Sequence, residues 1–279
     1  MISYAQNGED VLLARVFEDT PTGFYVDVGA GHPWVDSVTC HFYLQGWTGL
    51  NIEPRGDIAE LLSKWRPLDM LANCCVSDHQ GTVEFFEVNL VNSKIGDGGG
   101  LSTVDAELAA GYLANGFEVK GRTMPVVTLA SLFDQYDLKQ IDFLKVDVEG
   151  HESQVILSGD WNRWRPKVVI VESITPIGHL EALGNWRQFL QQNDYFLAAF
   201  DGINNYYVRG EDNSLRAKFR SPVSILDEYK TWQTSLYEER LKAKYGRRWR
   251  HRVATNLNVP AGLKGYAPRS SIFKRLLSA

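Results

Sequence analysis

The sequence predicts an α/β fold: a doubly wound, mostly parallel sheet with helices on both faces and an antiparallel hairpin at one edge. Three observations carry this. Phe24-Tyr25-Val26-Asp27-Val28-Gly29-Ala30-Gly31 runs from β-forming residues through an acid into two glycines spaced one apart, the pattern of a buried strand ending in a tight turn. Ile141 to Val148 and Val168 to Ile174 are near-continuous apolar runs, as in strands covered on both faces. Around them strand-like and helix-like segments alternate, as successive βαβ units require.

Taken in order, Ser37 to Leu44 has the apolar content of a crossover helix, and Gly46 to Pro54 reads as a second strand ending in Glu53. Ile58 to Trp65 is helical and Met70 to Val76 strand-like. The cluster Ser77-Asp78-His79-Gln80-Gly81 is a turn, and Thr82 to Val88 alternates as an exposed or edge strand does. Asn89 to Ser102, with Gly98-Gly99-Gly100, reads as a mobile loop over a site or as plain linker. Met124 to Leu129 returns as a strand, followed by a helix from Leu129 to Tyr136 with Thr128 as N-cap. Phe196 to Phe200 and Tyr206 to Val208 form a hairpin across Asp201-Gly202-Ile203-Asn204-Asn205.

The 279 residues suffice for a substantial core, and three cysteines without a C-x-x-C spacing indicate neither a disulfide framework nor a structural zinc site. No signal peptide or membrane-spanning run is visible, so a cytoplasmic protein is expected. Charge is uneven. From Lys230 onward there are 12 Lys/Arg and 2 Asp/Glu, against a net −5 for the whole chain. The division expected is residues 1–229 as one domain and 230–279 as a basic helical extension. No nucleic-acid-binding pattern accompanies the basic residues. The extension is read either as an anion- or membrane-surface tail or as a helix docking on its own acidic domain, the second being preferred.

Acids at strand ends point to the chemistry. Asp27 precedes the glycine turn, and the third glycine of a dinucleotide fingerprint is missing, since Trp34 stands there. Asp27 therefore suits a cationic ligand, and Glu53, 22 residues after Gly31, stands where a carboxylate accepts hydrogen bonds from ribose hydroxyls. Asp-x-Gly-x-Gly at a strand end resembles motif I of the S-adenosylmethionine (SAM) methyltransferases. A third constellation, Leu144-Lys145-Val146-Asp147-Val148-Glu149-Gly150-His151-Glu152, puts Asp147, Glu149 and His151 at the ligand edge of the sheet, with Gly150 marking the turn into a helix. Three ionisable groups crowding one strand end resemble an acid/base site.

Together with Ser3-Tyr4-Ala5-Gln6-Asn7-Gly8-Glu9-Asp10, Val76-Ser77-Asp78 and Asp201-Gly202, these motifs resemble the FkbM family of SAM-dependent O-methyltransferases over roughly residues 1–230. The resemblance implies a Rossmann-like SAM methyltransferase sheet and a hydroxyl of a sugar, surface polysaccharide or glycosylated metabolite as acceptor. It also implies a glycosyltransferase as partner. Carried over by position, Asp27, Gly29 and Gly31 hold the methionine part of SAM, Glu53 its ribose, and Ser77 with Asp78 borders the adenine. Gln6 either reaches the cofactor or caps. His151 and Glu149 are the candidate bases, with Asp147 orienting a partner or anchoring the acceptor. Pro33, where many methyltransferases have the third motif I glycine, is a departure at the methionine end. Mg²⁺ at Asp147 and Glu172 is a further option. Ser173 replaces the usual neighbouring acid, so Glu172 is read as a hydrogen-bonding group and no residue is assigned to a metal. A catalytically silent scaffold for a glycosyltransferase and a nicotinamide-dependent oxidoreductase are the competing classes.

Overall fold

The structure, a computed structural model, describes residues 1–89, 99–174 and 184–245. By contact, residues 1–229 form one compact unit and a second begins at Lys230. After the short strand β1 (Ile2–Ser3) and helix α1 (Glu9–Val16) comes the first core strand, β2 (Phe24–Val28). It is followed by α2 (Cys40–Leu44), β3 (Thr48–Ile52), α3 (Gly56–Trp65) and β4 (Met70–Ala72). An insertion then holds β5 (Cys75–Val76), β6 (Gly81–Asn89), α4 (Ala106–Ala114) and β7 (Glu118–Val127). The chain returns to the core through α5 (Leu129–Gln135), β8 (Phe143–Val146), α6 (Glu152–Leu157) and β9 (Val168–Glu172). It closes with α7 (Trp186–Gln192), β10 (Tyr195–Phe200) and β11 (Asn204–Arg209).

The seven core strands lie in the order β10-β11-β9-β8-β2-β3-β4. Pairing is parallel from β4 through β9; β11 alone runs against its neighbours β9 and β10. The expected edge hairpin is present, with its second strand inside the sheet and its first outermost. Successive strands step one way from β2 to β4 and the other way from β8 onward, so the connection reverses between β2 and β8. In an open α/β sheet, ligands bind above the carboxyl ends of the strands at that reversal.

Strand alternation builds both layers of the core. Val26, Val28, Leu144, Val146, Val169 and Val171 face one way, onto Leu132, Phe133, Val155, Ile156, Trp186 and Leu190 of α5, α6 and α7. Tyr25, Phe143, Val168 and Ile170 face the other, onto Leu12, Leu13 and Val16 of α1 and Phe42 of α2. Leu144 is fully buried, and Leu144→Ala at such a site costs about 2–5 kcal/mol.

Two expectations are corrected. The crossover helix spans only Cys40–Leu44, because the chain first runs as a loop from Gly31 in which the His32 ring nitrogen accepts the Trp34 and Val35 amides. Met70 to Val76 is two strands in two sheets: Asn73 turns its side chain to the carbonyls of Glu53 and Pro54, and β5 joins β7 instead. The strand Thr82 to Val88 is an edge strand as expected, at the edge of a separate three-stranded sheet β5-β7-β6. The glycine-rich segment lies outside the described residues at 90–98. Of the basic extension, β12 (Lys230–Thr231) and α8 (Trp232–Tyr245) are described, with Lys230 paired to Glu238 at 2.8 Å; 246–279 lies outside them.

Candidate active site

A cleft opens at the sheet reversal, lined by Gly29, Gly31, Glu53, Cys74, Cys75, Phe85, Thr103, Asp147, Glu149 and His151, among others. Gly29 and Gly31 both have left-handed backbone (φ 75° and 60°) but for different reasons. A Cβ on Gly29 would stand 1.9 Å from the carbonyl oxygen of Asp147, so it is the neighbouring strand end that requires this glycine. A Cβ on Gly31 would meet only open space, so there the backbone conformation requires glycine.

Glu53 closes one side. Its two carboxylate oxygens accept the amides of Gly31 and Arg55, each at 2.8 Å, leaving a second lone pair on each oxygen. Burial pushes its pKa up to about 7, against the pull of those two amides.

Asp27 does not line this cleft. It is the direct cross-strand neighbour of Lys145 and points with it into the α1/α2 layer, where the carboxylate accepts from Thr39 at 2.8 Å. Lys145 Nζ lies 3.2 Å from Asp27 and 3.3 Å from Asp147, and donates to the Gly29 carbonyl at 3.0 Å. Burial alone would lower the lysine pKa, but the Asp147 and Asp27 carboxylates outweigh it and hold Lys145 above its ordinary value. Asp27, read from the sequence as the anchor for a cationic ligand, thus stands buried with its charge facing Lys145 inside the fold. Gln6 is exposed, in the loop before α1, and does not line the cleft.

At the other side of the reversal, Asp147, Glu149 and Glu172 bring carboxylate oxygens within 4.8 Å of one another, the group of this kind found among the described residues. Burial first, and then the neighbouring Asp147 and Glu149, push Glu172 up to about 11. Burial and the charges of Asp147 and Glu152 raise Glu149 well above its ordinary value. Burial and the neighbouring like charges thus favour the protonated form of each acid. Glu149 has φ 53°, costly for a non-glycine residue, and is pinned there by the insertion. Thr103 donates to the Glu149 carbonyl at 2.7 Å and the Tyr112 hydroxyl lies 3.5 Å from its carboxylate.

His151 precedes the first residue of α6, and its Nε2 lies 2.8 Å from the Ser77 hydroxyl. Burial lowers its pKa. Ser77 is buried, and Asp78 is exposed with its carboxylate on His79. Two residues assigned to different tasks, Ser77 to the adenine wall and His151 to proton transfer, thus touch. Sequence reasoning gave no role to Lys145, Thr103 or Tyr112. A lysine inside the apolar run Phe143-Leu144-Lys145-Val146 was itself a signal, since a buried ammonium requires buried acids.

With this geometry established, comparison with known proteins is specific in one respect. The family described as the methyltransferase FkbM domain matches residues 27–197. No curated protein matches the chain. Among solved structures, a TehB-like SAM-dependent methyltransferase from Corynebacterium glutamicum aligns over 72% of this chain and 87% of its own, at 9% identity and a TM-score of 0.36.

Proposed function

This chain belongs to the FkbM methyltransferase domain family, whose general activity is SAM-dependent methyl transfer, and on that premise we propose that it methylates a hydroxyl of a sugar, surface polysaccharide or glycosylated metabolite. One observation carries the reading: the cleft joins the Gly29-Gly31 turn and Glu53 to the carboxylates Asp147 and Glu149. A nucleoside cofactor fits this chain's residues, since Glu53 keeps acceptor capacity at the cleft wall and nothing lies within 4 Å of the Gly31 Cβ position. Glu53 would hold the ribose, Gly29 and Gly31 the methionine end, and Cys74 to Ser77 with Phe85 the adenine. SAM supplies an electrophilic methyl group to that site.

An alcohol is a weak acid, so a group must take its proton as the methyl arrives. Asp147 is assigned that task. It lines the cleft beside Gly29 and its side chain is 34% exposed. Glu149 and Glu172, whose protonated forms burial favours, stand beside Asp147 to hydrogen-bond the acceptor's oxygens. His151, committed at Nε2 to Ser77, serves the adenosine wall. A second reading rests on the same cluster. Three carboxylates suit a hard divalent cation such as Mg²⁺, which would supply positive charge at this strand end. Turnover that is lost in EDTA and restored by Mg²⁺ favours the cation; turnover indifferent to both favours the carboxylates alone.

The direct test is labelled methyl transfer from SAM onto activated sugars, oligosaccharides and lipid-linked glycans. Label in an ether-linked methyl on one sugar class supports the proposal. Binding of SAM without transfer to any member favours the silent scaffold for a glycosyltransferase.

A further inference from the structure

We propose that Lys145 is a positioning residue for methyl transfer, a buried cation that fixes Asp147 against the Gly29 turn. The inference rests on the reading above, in which Asp147 takes the acceptor's proton. A lysine ammonium has three hydrogens to donate, and here it has three oxygens around it: the Gly29 carbonyl, the Asp27 carboxylate and the Asp147 carboxylate, at 3.0, 3.2 and 3.3 Å. Lys145 is 6% exposed and Asp27 1%, so these two are interior, while Asp147 alone reaches the cleft.

Serving as counter-ion to Asp27 would not require the other two contacts. Asp27 already has Thr39, and an ammonium paired with Asp27 alone could point wholly into the α1/α2 layer. Instead the lysine reaches to the residue two positions on and to the glycine turn of the adjacent strand. Those strand ends also share the hydrogen bond from the Asp147 amide to the Val28 carbonyl at 3.1 Å, and leave no room for a Cβ on Gly29 against the Asp147 carbonyl. Glu172 on β9 brings a carboxylate oxygen within 4.8 Å of those of Asp147 and Glu149, so Asp147 also has an acid beside it. The lysine's hold matters because a reacting group displaced by about 1 Å can lose on the order of 10²-fold in rate.

The experiment compares Lys145→Met, Lys145→Arg and the double variant Asp27→Asn/Lys145→Met, each checked for folding by thermal melting and for S-adenosylhomocysteine affinity by calorimetry. The double variant removes the carboxylate that Lys145→Met would leave buried and unpaired, so it keeps the test open if the single variant does not fold. The double variant is expected to bind S-adenosylhomocysteine within threefold of wild type and to keep the acceptor KM, with kcat lower by about 30-fold or more. Lys145→Arg, which retains the charge, is expected to recover part of that loss. A purely structural lysine predicts otherwise: once folding is restored, turnover is restored. Turnover of the double variant within threefold of wild type, in an enzyme that Asp147→Asn inactivates, overturns the proposal for Lys145 alone. Wild-type turnover in Asp147→Asn overturns the proton-transfer reading on which it stands.

Discussion

Glu53 is an acid that folding leaves titrating near neutrality, and its titration makes a prediction. In the free protein burial holds its pKa at about 7. Ribose hydroxyls donate to the ionised form, so cofactor affinity should tighten as pH rises from 6 to 8. Calorimetry at the two pH values is expected to show this in wild type and to lose it in Glu53→Gln; equal affinity at both in wild type would mean the ribose lies elsewhere. Replacing Glu53 by Ala removes both contacts and should weaken binding by about 1.5–3 kcal/mol. On the proposed assignment, Asp147 and His151 have different tasks. Asp147→Asn should lower kcat by about 10²–10⁴-fold with the cofactor still bound. His151→Ala should cost less than tenfold in kcat, and steady-state kinetics on the two variants separates them. A reversed pattern returns the base to His151. At this scale the sequence marked Gly29, Glu53, Asp147, Glu149 and His151, which line the cleft, but not the partners of the strand-end acids. Asp27 looked free because its neighbour Lys145 is 118 positions away in sequence and becomes adjacent only through the β2–β8 register.

At the scale of elements, the N-terminal segment acts as a brace for the β10–β11 hairpin. Glu9 accepts the Asn7 amide at 2.7 Å and the Asn204 side chain at 3.1 Å, while Asp201 accepts the Tyr206 hydroxyl at 2.6 Å. Asn204 is the register partner of Glu172, so this brace sets the end of β9 beside the carboxylates. Burial raises Glu9 from 4.5 to about 7. A folded pKa above the unfolded one gives a contribution present in full below about pH 4.5 and lost as pH rises through about 7. The gap is worth on the order of 3 kcal/mol. Glu9→Gln should match wild type near pH 5 and exceed it in stability at pH 8, read from urea unfolding at both. A constant difference across that range would show that Glu9 does not titrate between the two states. Elements with strong local signals were legible: the apolar runs of β2, β8 and β9, and α5 with its Thr128 cap, whose side chain accepts the Ser131 amide. Helix α4 was missed although Asp105 caps it by accepting the Glu107 and Leu108 amides, because the glycine-rich stretch before it masked the signal. The division of Met70 to Val76 between two sheets depends on long-range pairing that no local pattern states.

For the whole molecule, every residue lining the cleft lies within residues 1–229. A chain ending at Tyr229 is therefore expected to bind S-adenosylhomocysteine within threefold of the full chain, and weaker binding would give the extension a part in the site. Among the described residues no helix is long and apolar enough to cross a membrane. The doubly wound order was legible because parallel, doubly covered strands leave apolar runs. The insertion was not, since its strands alternate as any half-exposed strand does. The central claim is that the cleft at the β2–β8 reversal takes SAM. Calorimetric titration of the full chain with SAM, S-adenosylhomocysteine and NAD tests it most directly. The account predicts micromolar dissociation constants, about −8 kcal/mol, for the first two and no heat with NAD. Binding of NAD alone, or of none of the three, would contradict it.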